Sequence, residues 1–281
     1  MRYCILIILS LLPYVNTMAQ KRQTADSLNV AGWLNEARKQ SSSTCLPVFF
    51  AEKFLGRPYV AHTLEVNDRE QLVVNTRQLD CTTLVENVVA LTCAIKRGKG
   101  TYKDYLYYLN KIRYRKGRNT GYVSRLHYFS EWIDDNTEKG IVEERQWPNP
   151  PFSAVQTVKL GYMSSHPASY KALRNNPALV NDIYKTEQNY LNRKYRYIPK
   201  SDVKNTAAMR KAVNNGDIIA ITCKKKGLDI AHLGIAVWKK DGLHLLNASQ
   251  IHKKVVLEPM TLGKYLSKHP SHTGIRIIKI I

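Results

Sequence analysis

An α+β fold is what the sequence predicts, with helices early in the chain and an antiparallel sheet late in it. Three observations carry that expectation. Apolar residues in the first half recur at helical spacing, most clearly at Leu84, Val85, Val88, Val89, Leu91 and Thr92. From Asp217 onward the pattern becomes short apolar or alternating runs rich in β-branched residues, as strands require. Lys240-Asp241-Gly242 lies between two of those runs as a tight turn, so the strands pair antiparallel.

The elements follow in order. Residues 27–40 read as a helix, ended by the polar break Ser41–Thr44. Residues 47–56 read as a second helix, stopped by Gly56-Arg57-Pro58, and 60–79 as irregular or short-strand structure. The helix over 81–97 ends at Gly98. A tyrosine-rich helix follows at 101–113, then the basic turn Arg115–Arg118 and a helix over 125–136. Trp147-Pro148-Asn149-Pro150-Pro151 is a loop. Residues 160–215 read as helical and basic. Strands are expected at Asp217–Thr222, His232–Val237, His244–Asn247, Lys254–Leu257 and Ile275–Ile280.

Composition narrows the function classes. The 281 residues are 44% hydrophobic, which is globular and excludes a disordered chain. Five cysteines in this length exclude a small disulfide scaffold, and collagen, coiled-coil and multi-span membrane patterns are missing from the sequence. Lys and Arg number 43 against 22 Asp and Glu, a formal charge of +21. Such a charge suits nucleic acid, an anionic membrane face or a cell-wall polymer. Nucleic acid ranks last, since the basic residues are scattered and form no known nucleic-acid module. Residues 1–19 have a basic start at Arg2, an apolar run from Tyr3 to Val15 and small residues Thr17 and Ala19 before the expected cut. They describe a secretory signal, too short to span a bilayer. The expectation is an exported protein, periplasmic or extracellular, whose residues 20–281 form one domain with helical insertions over about 100–215 and no membrane span.

One segment carries chemistry. In Asp80-Cys81-Thr82-Thr83-Leu84-Val85-Glu86 the cysteine opens the strongest expected helix. Free N–H groups and the helix dipole there favour the thiolate, the nucleophilic form. Cys93 lies mid-helix among apolar neighbours and reads as structural; Cys45 and Cys223 are left open as a disulfide pair. A nucleophilic cysteine needs a base, and the base needs an orienting group. His232 opens an apolar strand, and Asn247 interrupts the next one fifteen residues on, so the hairpin can set the Asn247 amide beside the His232 ring.

Gly56-Arg57-Pro58-Tyr59, Asp80-Cys81 at a helix start, His232-Leu233-Gly234-Ile235 and a strand ending Asn247-Ala248-Ser249 together resemble the NlpC-type, papain-like cell-wall cysteine hydrolases. Within that superfamily, the Asp80–Glu86 segment and Ser124-Arg125-Leu126-His127-Tyr128-Phe129-Ser130-Glu131-Trp132 are most similar to the N-acetylmuramoyl-L-alanine amidase-like branch. Thr82-Thr83 after the cysteine, and Asn247 where the wider superfamily has histidine, fit that branch.

The resemblance implies a papain-like fold and hydrolysis of the amide between the lactyl group of N-acetylmuramic acid and L-alanine. Cys81 would attack, His232 would carry the proton, Asn247 would hold the ring, and the Cys81 N–H with the Tyr59 hydroxyl would stabilise the oxyanion. Muramyl peptides are the implied partners. No His-Glu-x-x-His and no Cys or His pair at metal-ligand spacing occurs, so neither a metal nor another cofactor is expected. Arg125 and His127 are candidates for binding a substrate carboxylate or sugar, and Trp132 is expected in the core. The alternatives are an endopeptidase cutting after D-glutamate, a non-catalytic wall-binding module and a cysteine acyltransferase.

Overall fold

The computed structural model describes residues 24–281; the expected export signal over 1–19 lies outside them. Five helices come first: α1 (24–37), α2 (Leu46–Glu52), α3 (Cys81–Arg97), α4 (Tyr102–Arg113) and α5 (Phe129–Glu138). A mixed stretch follows, with β1 (Val142–Glu144), β2 (Ala154–Thr157), α6 (Tyr162–Ser165), α7 (Pro177–Gln188), β3 (Lys194–Pro199) and α8 (Ala207–Ala212). The chain ends with β4 (Ile218–Cys223), β5 (Ile230–Trp238), β6 (Leu243–Ser249), β7 (Lys254–Leu257), α9 (Leu262–Ser267) and β8 (His272–Ile280). The sheet order is β2-β3-β8-β4-β5-β6-β7, with β1 also on β8, and every pair is antiparallel. Among the described residues no helix is long and apolar enough to cross a membrane.

Both faces of the sheet are covered, which explains why its central strands read as apolar runs instead of clean alternation. In β4, Ile218 and Ala220 join the core beneath the N-terminal helices, while Ile219 and Ile221 join a second core with Met209, Leu262 and Leu266. Helix α3 lies in the first core, and every residue from Thr83 to Ala94 is buried. A helix apolar all round is stable only when enclosed. Two of its polar groups are paired to α4: Glu86 accepts from Arg113 Nε at 2.8 Å, and Asn87 accepts from the Tyr105 hydroxyl at 2.6 Å, while the Thr92 hydroxyl is buried without a partner.

The middle of the chain departs from the sequence expectation. Residues 160–215 are not wholly helical, because β3 runs through them and pairs with β2 and β8. Tyr195 and Ile198 are buried in two different cores, and the basic Lys194 and Arg196 on either side of Tyr195 mask the alternation. The helix expected over 125–136 starts later, at Phe129, since Arg125 is held extended in a bridge to Tyr114. The helices expected over 27–40 and 47–56 both end earlier than that, the second in turns that lead to Gly56 at φ +80°. Trp132 is fully buried, as expected.

Gly234, two residues past His232 in β5, permits the close approach of β6. A methyl there would lie 2.6 Å from Leu245 Cδ1 and 2.7 Å from the Leu246 carbonyl oxygen. The backbone oxygen cannot retreat without opening the β5–β6 pair. Gly234→Ala is expected to lower the unfolding free energy by about 1–3 kcal/mol, as overpacking does. Urea midpoints measure it, and a variant midpoint equal to the parent's would show that the strands part freely.

Candidate active site

Asp80 caps α3. Its carboxylate accepts the Thr83 N–H and the Thr83 hydroxyl, each at 2.8 Å, and the Asp80 N–H donates to Thr83 Oγ1 at 2.9 Å. That reciprocal cap fixes where the helix begins, so Cys81 stands at its first position. The Cys81 sulfur reaches the main chain of Leu233 in β5 and the Thr82 hydroxyl.

The thiol is enclosed although the residue keeps partial exposure, and burial pushes it up to about 12. The Asp80 carboxylate pushes the same way, and the hydrogen bonds from Leu233 and Thr82 oppose it without prevailing. This corrects the expectation of a thiolate stabilised by the helix start. The residue that caps the helix supplies a negative charge next to the sulfur, and that charge offsets the dipole.

The expected His232–Asn247 pairing is present. His232 Nε2 lies 2.9 Å from Asn247 Oδ1, and Asn247 is fully buried. The far side of the amide sets its orientation. Asn247 Nδ2 donates to the Leu245 carbonyl at 3.4 Å and to Glu258 Oε1 at 3.3 Å, both of them acceptors. The amide oxygen must then face His232, so Nε2 carries the proton and Nδ1 keeps a lone pair, the form a base needs. Burial lowers the His232 pKa below its ordinary value; the Asn247 hydrogen bond and the Glu258 charge pull it partly back. The ring is therefore neutral at pH 7.

Glu258 is a site residue that the sequence reading missed. It is 1% exposed, and its second oxygen lies 3.3 Å from His252 Nε2. The available signal was a lone acid closing the apolar run Val255-Val256-Leu257, eleven residues after Asn247 across the β6–β7 hairpin.

Tyr59 comes from the segment before α3 and is not among the walls of the cavity that holds Cys81 and His232. Its N–H donates to the Lys253 carbonyl just ahead of β7, and it bridges Leu79, two residues before Cys81. Burial raises its hydroxyl to about 12, with Cys81 and Asp80 adding to the rise. The phenol is thus a proton donor at neutral pH.

Cys81 and His232 line one cavity of about 220 Å³, with Thr82, His127, Tyr170 and Asp229 among the other walls. Larger clefts occur, including one of about 680 Å³ beside Cys45, but that one pairs no cysteine with a histidine. His127 belongs to the site, with Nε2 2.9 Å from the Tyr122 carbonyl; burial first, and Arg125 next, lower its pKa to about 3. It is neutral and offers a ring nitrogen, not a charge. Arg125 does not belong to the site. Its guanidinium is buried in ion pairs with Glu65 and Glu70 and stacks over Tyr122 at 4.9 Å. Two acids already balance its charge, although its Nε is left without a hydrogen-bond partner, so it pins the 65–70 loop and is absent from the walls of the Cys81 cavity. The cysteines 45, 81, 93 and 223 are all free, so no disulfide joins Cys45 to Cys223. Among the described residues no cluster of three or more His, Cys, Asp or Glu is set to hold a metal.

Comparison with known proteins gives the family. Residues 49–275 match the AmiA-like family, described as N-acetylmuramoyl-L-alanine amidase-like. An N-acetylmuramoyl-L-alanine amidase from Bacteroides uniformis ATCC 8492 is 38% identical, covers 84% of this chain and 97% of its own, and superposes with a TM-score of 0.78. A Bacteroides fragilis protein carrying a provisional xylanase assignment is also 38% identical, over 82% of this chain and 99% of its own, at a TM-score of 0.77. A Legionella pneumophila protein, 19% identical over 93% and 96%, shares the fold at a TM-score of 0.69. No curated protein matches. The chain belongs to the N-acetylmuramoyl-L-alanine amidase-like family of peptidoglycan hydrolases.

Two outcomes follow from these protonation states. With the thiol raised to about 12, iodoacetamide labelling of the Cys81 peptide should climb about tenfold per pH unit from pH 6 to 10, as followed by mass spectrometry. A plateau below pH 8 would mean a resting thiolate. His127 bears on stability. Unfolded, it takes a proton near pH 6.5; native, only near 3, so stability is lost as pH falls between those values. The slope from this side chain is up to about 1.4 kcal/mol per pH unit. Urea titrations at pH 4 to 7 should show a shallower acid slope for His127→Gln, and identical slopes would refute the assignment.

Proposed function

We propose that this chain is an exported, metal-independent amidase that cleaves the bond between the lactyl group of N-acetylmuramic acid and L-alanine, with Cys81 as nucleophile, His232 as acid–base and Asn247 as orienter. The observation that carries the reading is the 2.9 Å contact between His232 Nε2 and Asn247 Oδ1, in a ring that shares a cavity with Cys81. Membership of the amidase-like family supports the choice of bond. The leader-like sequence of residues 1–19 and a wall polymer as substrate support export.

The resting pair is neutral thiol and neutral imidazole. Ionising it before substrate arrives is unfavourable, because both charges would form in a buried place. Proton transfer is therefore coupled to attack. As the Cys81 sulfur bonds to the lactyl carbonyl carbon, His232 Nδ1 takes the thiol proton and the carbonyl oxygen becomes an oxyanion. The Cys81 N–H, in the helix turn that lacks intrahelical acceptors, and the Tyr59 hydroxyl donate to that oxyanion. One such donor contributes roughly 3 kcal/mol. When the C–N bond breaks, His232 passes its proton to the alanine nitrogen and the peptide leaves. Water, deprotonated by His232, then attacks the thioester, releasing the lactyl carboxylate and restoring the thiol.

Asn247 keeps Nε2–H engaged so that Nδ1 stays the basic nitrogen throughout, and Glu258 keeps the amide from flipping. Incubation with defined muropeptides, read by product masses, tests the bond: free sugar plus intact peptide is expected, and a shortened peptide left on the sugar would make the chain an endopeptidase. Cys81→Ala should abolish turnover with unchanged circular dichroism. Asn247→Ala should lower kcat by about 10- to 100-fold, and His232→Ala by far more. Activity should survive EDTA.

A further inference from the structure

A second cleft, of about 790 Å³, opens beside the catalytic cavity, and Leu228 lines both. Its walls carry Lys159, Lys224, Lys225 and Lys226, all exposed, and no acidic side chain. None of the four lysines forms an ion pair among the described residues. Like charges gathered without counter-charge raise the local positive potential, so the cleft favours an anion over a neutral or cationic group.

The cleft is also built. Gly161 N–H and Tyr162 N–H both donate to the Gly227 carbonyl at 3.2 Å, clamping the lysine loop to the turn before α6. Gly227 sits at φ +80°, and a methyl there would lie 2.9 Å from the Tyr162 nitrogen. Across the clamp, Lys225 Nζ lies 4.4 Å above the Tyr162 ring, which stacks on His166 at 4.2 Å. The site thus offers a cationic rim over an aromatic floor.

Its position relative to the chemistry is set by β5. Four residues separate Leu228 from His232, a reach of at most about 14 Å along extended chain. A stem peptide leaving the scissile amide covers a comparable distance in three or four residues. Once the lactyl carboxyl is tied up in the amide, the disaccharide is neutral, whereas the stem carries free carboxylates on its glutamate and on residues beyond. The charge match favours the peptide.

We propose that the Lys159/Lys224–Lys226 cleft is the subsite for the acidic stem peptide, holding the carboxylates that follow the alanine. This rests on the amidase reading of the Cys81 site and names the half of the substrate that reading leaves unplaced. The lysines discriminate by charge, so a stem whose glutamate carboxyl is amidated binds more weakly.

The probe is the free tripeptide L-Ala-γ-D-Glu-diamino acid, with its isoglutamine counterpart as control. Calorimetry is run on the wild type and on Lys224→Gln/Lys225→Gln/Lys226→Gln, with circular dichroism checking that the variant is folded. The wild type should bind the acidic tripeptide about tenfold tighter than the triple variant does, a few weak ion pairs' worth. It should prefer the acid over the amide, and lose that preference at high salt. In turnover, the triple variant should raise KM for the acidic muramyl tripeptide and leave kcat unchanged. Equal affinity for acid and amide, or equal affinity of the two proteins, overturns the subsite, as does lysine-dependent binding of a disaccharide whose lactyl carboxyl is capped as the methylamide. If no muramyl substrate is cleaved, the amidase reading fails while the tripeptide binding still decides the cleft.

Discussion

The enclosure of α3 is the constraint on which the site depends. A helix buried from Thr83 to Ala94 cannot slide or rotate without exposing apolar side chains, each of which contributes about 1.5–3 kcal/mol when enclosed. Its polar residues reinforce the position, since Glu86 and Asn87 are paired to Arg113 and Tyr105 of α4. Unpairing either inside the core would leave a buried polar group unsatisfied. The helix start is therefore a fixed point, and Cys81 is the residue that stands there. The same rigidity brings the sulfur to the β5 main chain at Leu233, one residue from His232.

What that position does to the thiol depends on which of two local effects is larger. A helix N-terminus lowers a cysteine's pKa through its free N–H groups. Here Asp80 takes up the Thr83 N–H and places its own charge beside the sulfur, and burial adds a larger push in the same direction. The outcome is a neutral thiol beside a neutral imidazole. Such a pair is unreactive toward adventitious electrophiles until a carbonyl and its oxyanion donors are in place.

The polar side of the site runs across the sheet: His232 on β5, Asn247 on β6, Glu258 just after β7, then His252. The His232–Asn247 link joins neighbouring strands and Glu258 follows directly on the next, so strand register and side-chain chemistry are one constraint, while His252 joins from the β6–β7 turn. An amide in the middle has two distinguishable ends, and the fixed acceptors at Leu245 and Glu258 leave only one orientation that satisfies both sides. Gly234 lets β6 come near enough for the chain of contacts to close.

The sequence by itself determined the α+β order, the principal helix with its cysteine, the hairpin that pairs His232 with Asn247, and the burial of Trp132. These follow from local periodicity and from a short hairpin, where spacing along the chain nearly fixes spacing in space. It did not determine β3, whose basic Lys194 and Arg196 hid two buried positions, nor the fate of Arg125, which read as a substrate ligand until Glu65 and Glu70 closed on it. Glu258 and the protonation of Cys81 were also beyond it. Only the tertiary structure decided these, because whether a charge is free, paired or suppressed depends on burial and on partners distant in sequence.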